Sequence, residues 1–268
     1  MNHTRRAAIV TGAAGGIGRA VCDRLLADGL DVHAVDLRTD EAPAPAARSA
    51  AAAAAPAADS AAAAAIPFAA DLTSGDGNRA AVAEALRRFG RIDVVVANAG
   101  VQHVAPVAEF PEERWRMLLD LMLTSPFVLA KHAWPALVES PLASFVVVSS
   151  AHGLVASPGK SAYVAAKHGT IGLVKTLALE GAEHEITANA VCPGYVRTPL
   201  VERQVEALAE RDFTTHGRAL TDGLLAPHAI KRLIEPAEVA DVVALLAGPS
   251  GRAFTGAALT MDLGWTAR

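Results

Sequence analysis

The sequence predicts an α/β fold: a single doubly wound parallel sheet with helices on both faces. Three observations point there. Short β-branched runs alternate with longer helical patterns along the chain. Most of these runs are apolar at every position, as strands covered on both faces must be. The turn TGAAGGIGRA (11–20) closes the first strand run and opens the first helical pattern.

In order, the strand runs are AAIV (7–10), DVHAVD (31–36), IPFAAD (66–71), DVVVAN (93–98), FVVVSS (145–150), TANAV (187–191) and ALTMD (258–262). Helical patterns lie between them, among them 18–29, 78–90 and 165–184. Two stretches break the alternation. Residues 42–65 are a low-complexity Ala/Pro segment, a helix broken at Pro56 or a surface segment, with no function read into it. Residues 200–230 are charged, irregular and free of strand runs; between two well-patterned strands they are expected to form a substrate lid. Residues 1–268 are otherwise read as one domain.

Composition narrows the function. An apolar fraction of 52% supports a substantial core, and a net charge of −4 gives no basic footprint for nucleic acid. No run of 18 or more residues is apolar enough to span a membrane. MNHTRRAAIV leads straight into a strand without a secretory pattern, and the two cysteines, Cys22 and Cys192, make no disulfide framework. A reducing, cytoplasmic setting is expected. The nine histidines show no ligand spacing with acids, so no catalytic metal is expected.

In the glycine-rich turn, Gly12, Gly16 and Gly18 are expected to let the backbone pass close to a pyrophosphate, with the helix N-terminus supplying N–H donors. Asp36 closes the second strand run about twenty residues on. A carboxylate there accepts hydrogen bonds from both ribose hydroxyls and repels a 2′-phosphate, which favours NAD over NADP. Arg38, close by, is the group that would favour the phosphate.

SAYVAAKHG (161–169) places Tyr163 and Lys167 four apart, on one face of a helix. A free phenol titrates near 10 and is a poor base at neutral pH, but a neighbouring ammonium and an oxidised nicotinamide both favour the phenolate. A shift of roughly three units corresponds to about 4 kcal/mol. Tyr163 would then take a hydroxyl proton as hydride leaves the same carbon. Ser149 and Ser150 lie just upstream and, as neighbours on a strand, face opposite ways. Further polar residues surround this set: Gln102 and His103 after NAG, His152, Lys160, Gln204, and the amphipathic Trp265. Donors of these kinds beside a reacting hydroxyl suit a small carboxylate. His103, His168 and Cys192 are read as structural.

The glycine spacing TGxxxGIG, NAG (98–100), the Ser150 … Tyr163-x-x-x-Lys167 set and PGYVRT (193–198) occur in an order that resembles the short-chain dehydrogenase/reductase family, from about residue 5 to the C-terminus. The resemblance implies a Rossmann-type fold, selects Ser150 over Ser149, and makes Ser150, Tyr163 and Lys167 catalytic. It implies a coenzyme site formed by Gly12, Gly16, Ile17, Gly18, Asp36, Asp71, Leu72, Asn98, Gly100, Tyr163, Lys167, Pro193, Val196 and Thr198. Asp71 would contact the adenine, Asn98 and Gly100 the adenosine side, and Thr198 the nicotinamide amide; Lys167 would also hold the nicotinamide ribose.

NAGVQHVAP, SAHGLVASPGKSAYVAAKHG, CPGYVRTPLVERQ and GAAL…GWTA are similar to the bacterial D-3-hydroxybutyrate dehydrogenases. That similarity implies that Gln102, His152, Lys160 and Gln204 bind a substrate carboxylate beside Trp265, that (R)-3-hydroxybutyrate and NAD⁺ give acetoacetate and NADH, and that the protein is a homotetramer. Another small hydroxy acid or secondary alcohol is the alternative substrate. Two positions depart from the pattern. Met122 stands where the family carries an asparagine that helps hold a proton-relaying water, which leaves a weakly active NAD-binding protein as a further alternative. Leu263 replaces a glycine, a change expected to touch only local backbone freedom.

Overall fold

The computed structural model describes residues 5–38 and 63–267; the Ala/Pro-rich segment 42–65 lies outside the described residues up to 62. Seven strands form one parallel sheet: β1 (Ala7–Thr11), β2 (Asp31–Asp36), β3 (Ala65–Ala69), β4 (Val94–Ala97), β5 (Ser144–Val148), β6 (Thr187–Pro193) and β7 (Ala258–Met261). Their order is β3-β2-β1-β4-β5-β6-β7. The chain runs outward from β1 to β3, returns to β4 on the other side of β1, and continues to β7. The strand order therefore reverses between β1 and β4, and a crevice opens at the carboxyl ends there.

Both faces of the sheet are covered, which explains the continuous apolar runs. On β1, Ala7 and Ile9 enter one core, with α2 (Gly75–Phe89), α4 (Ser125–Val138) and α5 (Ser161–Glu180). Ala8 and Val10 enter the opposite core, with α1 (Gly16–Ala27) and α8 (Pro236–Ala247). The period of two thus divides one apolar strand between two cores.

Three local features shape the crevice. Between α3 (Glu112–Leu119) and α4 lies a π-helical turn, Asp120–Thr124. Pro126 brings no N–H to the Met122 carbonyl, so a regular α-turn cannot continue there. β5 stops at Val148, leaving Ser149 and Ser150 beyond the strand. α5 begins at Ser161, before the strongest part of its helical pattern, so Tyr163 stands in its first turn.

The 200–230 stretch is not irregular. It folds into α6 (Pro199–Arg211), the short α7 (His216–Arg218) and a π-turn, Ala219–Leu224. Val201, Val205, Leu225 and Leu233 give it a small core of its own. The valines are one helical turn apart, a period masked by the surrounding charge.

Candidate active site

The coenzyme end of the crevice begins at Gly12, whose φ of 65° turns the chain sharply out of β1. A Cβ on Gly12 would come within 2.8 Å of the Ala99 Cα, and one on Gly18 within 2.0 Å of the Gly12 carbonyl oxygen. These two glycines serve the packing of the turn against the end of β4 and against itself. Gly16 faces the Thr198 Cγ2, 3.0 Å from where its Cβ would lie. All three glycines also border the cleft, so these packing contacts add to the expected approach of a pyrophosphate rather than replacing it.

Asn98 also acts as a brace. Its Nδ2 donates to the Thr11 and Gly12 carbonyls at 2.9 and 3.2 Å. Asp36 accepts from the Ala14 N–H at 2.9 Å and the Leu37 N–H at 2.7 Å, which ties the glycine turn to the end of β2. Asp71 accepts from the Thr73 hydroxyl and N–H at 2.7 and 2.9 Å, bonds that hold its carboxyl below the usual range. Gly15 caps α1 without any side-chain hydrogen bond, so N–H donors of the first turn remain for a ligand. An uncapped helix N-terminus with a carboxylate across the cleft fits a nicotinamide dinucleotide.

At the reacting end, Ser149 and Ser150 do face opposite ways. Ser149 Oγ donates to the Lys167 carbonyl at 3.0 Å and accepts from the Thr170 hydroxyl at 3.1 Å, pinning α5 to the sheet. Ser150 Oγ accepts from the His152 N–H at 3.1 Å and pairs with the Tyr163 phenol. Lys167 Nζ donates to the Val148 carbonyl at 2.7 Å and lies 5.6 Å from the centre of the Tyr163 ring. Burial pushes this ammonium down to about 8. Burial also raises the Tyr163 phenol, against the opposing pull of the Ser150 hydrogen bond. The protein by itself therefore does not acidify the phenol: desolvation outweighs the Ser150 hydrogen bond.

Strand geometry does not continue to His152; Ala151–Gly153 form a 3₁₀ turn capped by Ser150. The His152 ring nevertheless reaches the cleft. It meets the Trp265 ring edge-on at 4.8 Å and Tyr163 at 5.9 Å, and its Nε2 lies 3.0 Å from Ser157 Oγ. Burial pushes it down to about 3, so it is neutral at physiological pH. Lys160, the N-cap of α5, is buried at 8% exposure, and burial pushes its ammonium down to about 8. Gln204 Nε2 is turned back to its own helix, 3.4 Å from the Leu200 carbonyl oxygen.

Every residue named from the sequence for catalysis, coenzyme or substrate borders one cleft of about 840 Å³, including Ile17, Leu72, Gly100, Gln102, Pro193 and Val196. His103 packs edge-on against Phe110 at 5.2 Å, outside that wall. Two residues escaped the sequence reading. Tyr195 borders the cleft, stacked on Trp265 at 5.2 Å and 16°. His228 lies fully buried behind both rings. The PGYVRT motif points to the coenzyme alone; the signal for Tyr195 is the scarcity of tyrosine, with 2 in the chain. Among the described residues, no group of three His, Cys, Asp or Glu side chains could hold a metal, and no helix is long and apolar enough to cross a membrane.

Comparisons with known proteins agree with this geometry. The family model described as short chain dehydrogenase matches residues 6–209. The chain is 42% identical over 199 residues to the D-beta-hydroxybutyrate dehydrogenase of Rhizobium meliloti (strain 1021), covering 74% of this chain and 77% of that one. It is 36% identical over 268 residues to the D-beta-hydroxybutyrate dehydrogenase of Cupriavidus necator, covering 98% of each. The ligand-free structure of Thermoplasma acidophilum aldohexose dehydrogenase superposes with a TM-score of 0.84 at 30% identity, covering 98% of this chain and 95% of that one. With a glycine turn, a Ser–Tyr–Lys set and a sheet order that agree with matches of this length, the chain belongs to the short-chain dehydrogenase family.

Proposed function

We propose that the protein is an NAD-dependent dehydrogenase that interconverts (R)-3-hydroxybutyrate and acetoacetate. One observation carries the reading: a buried lysine, Lys160, with His152, Gln102 and Trp265, borders the same cleft as Ser150, Tyr163 and Lys167. An ammonium out of water calls for an anion, and the reacting set a short way off calls for a hydroxyl. The names of the two relatives at 42% and 36% identity support the same substrate.

An oxidised nicotinamide dinucleotide held at the glycine turn would supply the hydride acceptor and a positive charge that favours the Tyr163 phenolate. Ser150 hydrogen-bonds the substrate oxygen and keeps it beside Tyr163. Tyr163, as phenolate, takes the hydroxyl proton while the C–H bond at the same carbon breaks, and the C=O bond forms. Lys167 keeps positive charge at the phenolate and holds the ribose. Gly12, Gly16, Gly18, Asp36 and Thr198 hold the dinucleotide, with Asp36 selecting NAD. α6 and the segment that follows act as the lid, carrying Gln204 onto the carboxylate.

NADH formation with both enantiomers of 3-hydroxybutyrate, with 2-butanol, and with NAD⁺ against NADP⁺ tests the reading. The R acid with NAD⁺ is expected to give the highest kcat/KM, by about a hundredfold over the alcohol. Equal or better use of 2-butanol would refute it.

A further inference from the structure

We propose that Tyr195 is a carboxylate-binding residue that forms, with Lys160, a two-donor clamp for the acid group of the ligand. This rests on the reading above that the cleft takes a small carboxylate.

Lys160 Nζ donates to the Tyr195 hydroxyl at 3.2 Å and sits 5.2 Å from the centre of that ring. Among the described residues no carboxylate neutralises this buried ammonium. An ammonium has three protons and accepts none. The phenol oxygen is therefore the acceptor, its own proton is free, and two ammonium protons remain. A hydroxyl that accepts from a cation is a better donor to an anion. Two donors 3.2 Å apart span the two oxygens of one carboxylate.

The Tyr195 hydroxyl is held in place in advance. Its ring stacks on Trp265 at 5.2 Å and 16°, and the buried His228 backs it at 5.6 Å. His152 borders the ring at 6.4 Å. A donor fixed before binding has little freedom left to lose. Burial pushes the Tyr195 phenol up to about 12, so it keeps its proton throughout the physiological range.

The test removes only the hydroxyl. Tyr195→Phe keeps the ring stack, and Tyr195→Leu, which also brings no donor, takes its place should the phenylalanine variant prove insoluble. Butyrate is titrated into the protein–NADH complex by calorimetry, and turnover of (R)-3-hydroxybutyrate is measured alongside. We expect butyrate to bind the unaltered protein, and either variant to weaken it about tenfold. KM for the acid should rise by a similar factor, with the greater part of the loss in KM rather than kcat. Unchanged butyrate affinity in the variant, or no butyrate binding by the unaltered complex, overturns the clamp. Butyrate binding that depends on the hydroxyl, with neither enantiomer turned over, would uphold the clamp and overturn the dehydrogenase reading alone.

Discussion

The Lys167 ammonium lies 5.6 Å from the centre of the Tyr163 ring while one of its protons is committed to the Val148 carbonyl at 2.7 Å. The carbonyl fixes where the charge sits, so the lysine acts on the phenol from a set position rather than by a direct hydrogen bond. Tyr163→Phe removes the proton acceptor and leaves this arrangement intact. Turnover should fall by about a thousandfold or more, while NADH affinity, followed by fluorescence, stays within about threefold. Turnover near the original rate would sink the assignment of Tyr163 as base.

Lys160 sets a second expectation, tied to pH. Burial lowers its ammonium to about 8, and only the protonated form attracts an anion. KM for the hydroxy acid should be flat below about 8 and rise about tenfold per unit above it. KM for 2-butanol should show no such rise. Lys167 titrates in the same range and acts on both substrates, so the acid-to-alcohol ratio isolates Lys160. Lys160→Ala should remove the pH dependence of that ratio and raise KM for the acid by about a hundredfold. An identical pH profile for both substrates would count against a carboxylate pocket.

Away from the cleft, His33 on β2 is fully buried between Phe68 at 5.1 Å and Phe89 at 6.4 Å, and neither ring nitrogen has a partner. Burial lowers its pKa from 6.5 to about 4. The folded state binds this proton only below about 4, whereas the unfolded chain binds it below 6.5. Stability from this group is therefore present above 6.5 and lost as pH falls from 6.5 towards 4. Between pH 7 and 5 the loss is about 2 kcal/mol. Urea midpoints at the two pH values should shift more in the unaltered protein than in His33→Leu. Equal shifts would mean that the histidine is protonated in the fold.

Much of this was legible in the chain because the signals were periodic or covalent. Continuous apolar runs gave the two-faced sheet, and four-residue spacing placed Tyr163 and Lys167 on one face. What stayed hidden depended on contacts between distant segments. Gly18 packs on the Gly12 carbonyl, and only the folded turn reveals that. Tyr195 and Lys160 are separated by 35 residues, and nothing in either local sequence announces their pairing. Leu263 was expected to affect only local backbone freedom, and it adopts a φ of 54°, in the left-handed region where a glycine is unstrained. The amphipathic period of α6 was hidden because charge fills the rest of its surface.

Met122 provides the last test. It is buried at 1% exposure among Leu118, Ala162 and Ala166, with Tyr163 packed on the same cluster. Its sulfur lies 3.3 Å from where a Cβ on Gly100 would be. A thioether donates no hydrogen bond and accepts weakly, so it cannot take the place of an amide in ordering a water beside the lysine. Met122→Asn would put a polar amide into this apolar cluster. Without new partners it should cost about 1–3 kcal/mol, read as a lower urea midpoint. If the amide instead recruits water towards Lys167, kcat should rise and the solvent deuterium isotope effect on it should fall, because proton release then limits turnover less. Loss of stability with no change in either kinetic quantity would show that proton release in this protein runs independently of residue 122.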